Sequence, residues 1–316
     1  MAFRYINPGY YNFFDTYSAG TNLKDTSIVK TNGGQCFRGG TTINTISTYS
    51  CTVNLPAAKE YWARFDLNRY NNQNAGGGDN TYIHFVDEKG NKIGILTYNA
   101  KDTIYLQKNE STISNTKTFS FARNDTKTFM LHVFSDATAG KIELYCDNAL
   151  VSSYTGSTYG NNLSSFVIKL GTYYRSFDSA NIYETMANII IADEPICASW
   201  KIEELTTAVT PGGWTAVADK AGYYQAAAAE QSMTVSPDDA AKADYIAGTK
   251  KLIGVQCSCV PGYTDTADIT DLHFAADGTD AGTKKLGGAE TSTCRSDFVK
   301  ITDIAKANLT ITAKKG

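Results

Sequence analysis

In the stretch 129–194 the first part, residues 129–156, has apolar and polar positions alternating two by two, the period of strands with one face buried and the other turned outward. In residues 141–146, Ile142, Leu144 and Cys146 fall on one face and Lys141, Glu143 and Tyr145 on the other. This region reads as a strand, a Gly-containing turn, a second strand, a tight turn at Asp147-Asn148 and a third strand, which is antiparallel sheet. Residues 82–86 and 93–98 form a hairpin around DEKGNK, and further strands fit 50–55, 61–67, 103–106, 118–121, 166–170 and 187–192. In 61–67 the aromatics Trp62 and Phe65 alternate imperfectly with polar residues, so a strand is expected there with its register open. Short strands at turn-punctuated intervals predict two packed sheets.

The pattern changes near residue 200. Pro195 and Pro211-Gly212-Gly213 bracket a short segment containing Trp200 and Ile202, and composition then shifts towards Ala, Asp and Lys. The expected division is a β-sandwich over 1–196, a linker over 197–212 and a small β-rich domain over 213–316. In the second part Ser236 is expected to cap a helical turn with Pro237 at its first position. Residues 250–260 alternate again, with Ile253, Val255, Cys257 and Cys259 on one face. Strands are also expected at 272–274, 297–301 and 309–312.

Composition narrows the partners. A net charge of -3, with 29 Lys and Arg among 316 residues, gives no footprint for nucleic acid, and no dense basic run suggests an anionic membrane surface. The first residues lack a secretion signal and no segment is apolar enough to span a bilayer, so neither nucleic acid nor membrane insertion is expected, and the product is expected in the cytosol where it is made. Seven scattered cysteines exclude a full disulfide scaffold and read as reduced, small apolar residues. Twenty tyrosines, with many Thr, Asn and Gly and almost no helical period, fit an all-β protein.

GKIELYCDNALVSSYTG followed by MANIIIADE resembles the concanavalin A-like, or laminin-G-like, jelly-roll sandwich of phage structural proteins, with Asn148 where that family often has Gly. The later part is similar in layout to a small domain that follows this sandwich in tail-associated virion proteins. The residues that carry this are Trp214-Thr215-Ala216-Val217, Tyr223-Tyr224, Ile253-Gly254-Val255-Gln256 and Leu309-Thr310-Ile311-Thr312. The resemblance implies a non-enzymatic virion protein, a tail fibre or other tail-surface component, assembled in the host cytoplasm with other virion proteins and as a homo-oligomer. A host-surface glycan is its further expected partner. The alternatives are a carbohydrate-binding lectin or adhesin, and a capsid decoration protein.

Candidate chemistry is sparse. There is no GxSxG elbow, phosphate loop or HExxH pair, and no catalytic residue, metal ligand or cofactor is expected. A glucanase would need two carboxylates across a glycosidic bond, and Glu143 and Glu203-Glu204 read instead as solvated surface groups. His84, His132 and His273 read as hydrogen-bonded histidines at core margins. The acidic stretches 265–271 and 277–280 lack the spacing of a calcium loop and read as turns. The expected binding surface is two loops. One is Tyr-rich, with Tyr173, Tyr174, Arg175 and Phe177; the other begins at Tyr70, Asn71 and Asn72. For the tyrosine-rich loop the competing reading is that its rings simply cover the sandwich edge.

Overall fold

The computed structural model describes residues 3–7, 16–17, 24–26, 36–41, 48–71, 79–98, 103–113, 118–120, 125–172, 182–218, 220–259, 269–286 and 294–315. The chain divides into two compact units, Met1–Glu203 and Glu204–Gly316. The division falls within the segment set aside above as a linker.

The first unit is an all-β sandwich of two antiparallel sheets. One runs β14 (Ala149–Gly156), β13 (Gly140–Cys146), β12 (Thr126–Phe134), β6 (Glu60–Asn71), β16 (Ile182–Ala192), β4 (Cys36–Thr41) and β3 (Lys24–Thr26), with β1 (Phe3–Asn7) also pairing β16. The other runs β10 (Ser111–Thr112), β9 (Thr103–Lys108), β8 (Lys92–Tyr98), β7 (Asp79–Asp87), β15 (Leu163–Thr172), β5 (Thr48–Ala58) and β2 (Thr16–Tyr17), with β11 (Phe119–Ser120) pairing β9. The strands expected between 50 and 192 are all present, most of them longer at one or both ends.

Alternation fills the space between the sheets. Tyr61, Ala63, Phe65 and Leu67 of β6 and Phe129, Leu131 and Val133 of β12 are buried against Ile83 and Phe85 of β7, Ile93 and Ile95 of β8 and Phe166 and Ile168 of β15. The Tyr61 and Phe85 rings stack across the gap with centroids 5.6 Å apart. Tight turns sit where the chain supplies residues that tolerate positive φ. Asp147 and Asn148 lie at φ 48° and 71°, so Asn148 does the work of the glycine it replaces.

One position breaks the period to keep the core continuous. Met186 faces the core, yet so do Ile189 and Ile191, which a plain two-residue period would turn outward. The register against β6 shifts between Ala187 and Ile190, and Asn188 sits there at φ 51°, which makes a β-bulge. The bulge also marks where the far edge of β16 passes from β4, paired over 182–186, to β1, paired over 189–192.

The sheet containing β6 is covered on its outer side as well. Ile196 and Ala198 are buried there with Met130, Ile190 and Ala192, and Trp62, Tyr145, Trp200 and Ile202 pack around them. Burial of both faces explains why β16 reads as an unbroken Ile189-Ile190-Ile191 run. Beneath this cover Arg64 and Asp66, both fully buried, lie 2.8 Å apart. The Arg64 guanidinium donates to the Asn188 carbonyl (2.9 Å), while Asn188 Nδ2 and Thr128 Oγ1 each donate to Asp66 at 2.7 Å. The bulge therefore supplies the pair with both an acceptor and a donor, as a buried pair requires.

The second unit holds a sheet in the order β17 (Thr207–Thr210), β20 (Ser232–Pro237), β25 (Leu309–Lys314), β22 (Asp271–Ala276) and β23 (Thr279–Lys285). Two short pairs accompany it, β18 (Thr215–Ala216) with β19 (Tyr224–Gln225) and β21 (Ser258–Cys259) with β24 (Cys294–Arg295). Phe274, Ala276, Ile311 and Leu309 centre its core. The expected helix cap is corrected. Ser236 and Pro237 belong to β20, where Ser236 donates to Asn308 (2.6 Å), and the helix α1 (Asp239–Ile246) is capped by Asp238, which accepts from the Ala241 amide at 2.8 Å.

The strands expected over 250–260 and 297–301 reduce to one bridge, Val255 with Val299, and the short β21. Val255 and Cys257 do face the core, as the alternation implies. The ladder breaks because the Cys257 amide donates to the Ser296 hydroxyl (2.9 Å) in place of a backbone carbonyl. Of the acidic stretches, 277–280 forms the β22–β23 turn, with Asp277 at φ 47° and Gly278 at 75°. Residues 265–268 lie outside the described residues.

Candidate functional site

On the sheet containing β7 the same alternation that buries one set of side chains places another on the outer face. Register sets Thr52, Val167, His84, Gly94 and Gln107 in one row across β5, β15, β7, β8 and β9, and Ser50, Lys169, Tyr82, Leu96 and Tyr105 in the next. Gly94 lies between the two longest polar side chains of the first row. A Cβ there would fall 2.9 Å from His84 Cδ2 and 2.1 Å from the Ile83 carbonyl, so the imidazole occupies the space the glycine leaves.

His84 and Gln107 are 2% and 1% exposed. Gln107 Nε2 donates to the Glu110 carbonyl (3.2 Å), which fixes the amide and leaves Oε1 as its other end. A hydrogen bond with Gln107 favours a proton on the imidazole. Beyond that contact His84 Nε2 and Gln107 Oε1, both fully buried, have no partner among the described residues. Trp62 Nε1 and Thr185 Oγ1 are buried without partners elsewhere, whereas His84 and Gln107 meet in one row, on the strands either side of Gly94. Burial lowers the His84 pKa from 6.5 to about 4, so the ring is neutral at pH 7.

Among the described residues Glu110, Lys92 and Lys169 act on this imidazole. Lys92 and Glu110 form an ion pair at 2.5 Å, and the hydrogen bond from Lys92 holds the Glu110 carboxyl below its ordinary pKa. Lys169 also acts on Glu110 and lies over the Tyr82 ring, 5.6 Å from its centroid, and Tyr82 in turn stands 5.7 Å from His84.

A second polar cluster lies on the outer face of the other sheet. His132 Nε2 is 2.8 Å from Glu60 and its Nδ1 2.8 Å from Glu143, to which Tyr145 also donates at 3.1 Å. Trp62 stacks on His132 with centroids 4.0 Å apart. Glu143 is thus not the solvated carboxylate expected from sequence. Its burial acts to raise its pKa, and the hydrogen bonds from His132 and Tyr145 outweigh that and lower it. With a carboxylate against each ring nitrogen, His132 has no nitrogen left for a substrate, and the cluster acts as a tie between β6, β12 and β13.

His132 therefore matches the expected hydrogen-bonded histidine, as does His273, 3.2 Å from Asp280. His84, fully buried and hydrogen-bonded to Gln107, matches it as well. Of the expected loop residues, Tyr70 and Asn71 end β6, while Asn72, Tyr173, Tyr174, Arg175 and Phe177 lie outside the described residues. The strand ends that carry the two loops are paired: Tyr70 with Tyr183 and Asn71 with Ile182 in one sheet, Thr172 with Asp79 in the other. Among the described residues no cluster of His, Cys, Asp and Glu is arranged to hold a metal ion, and the described cysteines are free thiols.

No protein-family model matches the chain, and no curated protein matches it. Similar solved structures include a sialidase (14% identity, TM-score 0.34, covering 55% of this chain and 17% of that one). The cellulose-induced protein Cip1 is 14% identical at TM-score 0.41, covering 55% of this chain and 86% of that one. The carbohydrate recognition domain of Emp47p is 12% identical at TM-score 0.38, covering 61% and 97%. The matched region is thus under a fifth of the sialidase. At these scores fold and site rest on the chain's own strand pairing and side chains.

Proposed function

We propose that the chain is a non-catalytic carbohydrate-binding protein whose sandwich takes a saccharide on the outer face of the β5–β15–β7–β8–β9 sheet. The observation that carries this reading is the half-buried row that Lys169, Tyr82 and Tyr105 form across β15, β7 and β9 on that face. An ammonium donates, a phenol hydroxyl donates and accepts, and sugar hydroxyls do both, so one saccharide can bond to all three. The Tyr105 ring is of the kind that stacks on sugars.

The virion setting implied by the sequence resemblance, with a tail-surface or capsid position, would put such a module where it meets host glycan. That setting draws its support from the resemblance alone.

The test is calorimetric titration of an oligosaccharide panel into the wild type and into Tyr105→Ala and Lys169→Gln, with thermal melts of each. Each variant is expected to melt close to the wild type and to bind at least fivefold more weakly, the equivalent of about 1 kcal/mol. Unchanged binding in both variants, or no binding by the wild type at millimolar sugar, would refute the reading.

A further inference from the structure

We infer that Cys259 and Cys294 are an oxidation site, two thiols set opposite one another so that a disulfide between them locks β21 to β24. The two strands are antiparallel, with Ser258 paired to Arg295 and Cys259 to Cys294. Directly opposed residues of an antiparallel pair point to the same face with Cα atoms about 4.5 or 5.5 Å apart, and a disulfide spans about 4.4–6.8 Å between Cα atoms. Register thus brings the two sulfurs together with a closing movement of about an ångström at Cβ. Cys257 falls on the same face two residues before Cys259, and all three thiols pack into the core of the second unit. It is the wrong partner for either. Residues two apart on one strand are about 6.8 Å apart, and the diagonal from Cys257 to Cys294 is about 7–8 Å. All three are free thiols in this structure.

The bridge falls where few bonds hold the backbone. Next to it the Ser296 amide donates to the Cys257 carbonyl and the Cys257 amide to the Ser296 hydroxyl, each at 2.9 Å, and beyond them lies the single bridge of Val255 with Val299. Neither β21 nor β24 belongs to the five-stranded sheet, so a covalent tie there adds what the ladder lacks. A small-molecule disulfide is the oxidant, and the exchange balances with no other reactant. Cys259 is half-buried where Cys294 is buried, so Cys259 reacts first. It loses its proton to solvent, and its thiolate attacks one sulfur of the small disulfide and expels the other, which takes up a proton. Cys294 then displaces the first sulfur from the mixed disulfide in the same way, so two protein thiols are oxidised and the small disulfide is reduced to two thiols. Burial, and after it the Cys257 and Cys294 thiols, hold the Cys259 thiol above its ordinary pKa. Burial does the same for Cys294, opposed by Lys284. Scarce thiolate makes the attack slow, and the same high pKa makes both sulfurs poor leaving groups, so the bridge once formed is slow to be reduced.

The experiment incubates the whole chain with oxidised glutathione at about pH 8.5, quenches in acid, alkylates the remaining thiols and maps linked peptides by mass spectrometry. It is run on wild type, Cys257→Ala, Cys259→Ser and Cys294→Ser, with a thermal melt of each to show that it is folded. The expected product is a chain lighter by two hydrogens, with Cys259 linked to Cys294 in wild type and in Cys257→Ala, and no such link in the two serine variants. Hydrogen exchange at residues 255–259 and 294–299 is expected to slow by roughly tenfold or more on oxidation and to recover with dithiothreitol. A wild type that keeps both thiols free after prolonged incubation, or that links Cys257 in place of either, overturns the inference. Linkage between two chains through Cys259 or Cys294 overturns the assignment to an opposed pair. The right link with unchanged exchange overturns the lock.

Discussion

The His84 ring gives the sharpest test of how this face is built, because its burial ties folding to pH in a calculable way. Burial is the main cause that lowers its pKa from 6.5 to about 4, while Lys92 and Lys169 add to the lowering and Gln107 and Glu110 oppose it. The fold favours the neutral ring. Between pH 6.5 and about 4 the unfolded chain therefore binds a proton that the folded chain refuses, so stability rises with pH in that window. The contribution is fully present above pH 6.5 and is lost as pH falls towards 4. At about 1.4 kcal/mol per pH unit that interval corresponds to about 3 kcal/mol.

Urea unfolding of wild type and His84→Gln between pH 7.5 and 4.5 separates this from the carboxylates, because glutamine stays neutral throughout. The wild type is expected to lose about 2–3 kcal/mol relative to the variant across that range. The chain has three histidines, so imidazole resonances followed by NMR give a direct check, with one ring untitrated at pH 5. Saccharide binding is correspondingly expected to be flat from pH 8 to 5. A His84 resonance that titrates near 6.5, or a wild-type minus variant difference that does not change with pH, would refute the burial argument.

Two further perturbations address the frame that holds the face. Asn188→Val forces a β-branched residue to φ 51° and deletes the 2.7 Å bond to Asp66, so a loss of about 3 kcal/mol is expected in urea unfolding, with Asn188→Gly relieving only the backbone part. Asp87 accepts from the Lys89 and Asn91 amides and from the Asn91 and Asn161 side chains, all at 2.8–2.9 Å. Burial acts to raise its pKa, but these bonds outweigh it and lower it. Asp87→Ala is thus expected to cost about 2–4 kcal/mol at neutral pH. A lowered carboxyl stabilises above its unfolded pKa, so the wild-type advantage should shrink as pH falls through the folded value, and an advantage that stays constant into acid would count against it.

Most of the sandwich was legible because its strands are simple. Residues 129–134, 141–146 and 150–154 alternate, turn at Asp147-Asn148 and pair in that order. What was not legible has identifiable causes. A bulge at Asn188 changes the parity of β16 without any break in its apolar run. Residues 197–202 open the expected linker, bracketed by Pro195 and Pro211, yet Ala198 and Trp200 cover the outer side of a sheet. In the second unit alternation at Val255 and Cys257 reported the buried face correctly, but a serine hydroxyl interrupts the ladder, and alternation is blind to where amides find their acceptors.

The candidate site was hidden by the same rule that revealed the fold. A two-residue period marks outward positions as solvated, and His84, Gly94 and Gln107 are all outward positions by that count. Their closeness comes from register across three strands, which no single strand's pattern contains. Gly94 looks like a weak point in a strand, whereas it makes the space that the His84 ring fills. Gln107 looks like surface, whereas its amide is fixed by Glu110 and its oxygen is buried. Tyrosine-rich loops drew attention by composition, since exposed rings are a visible signal. A pair of buried polar groups that meet across a glycine has no compositional trace and is found only when each hydrogen-bonding group on that face is traced to its partner.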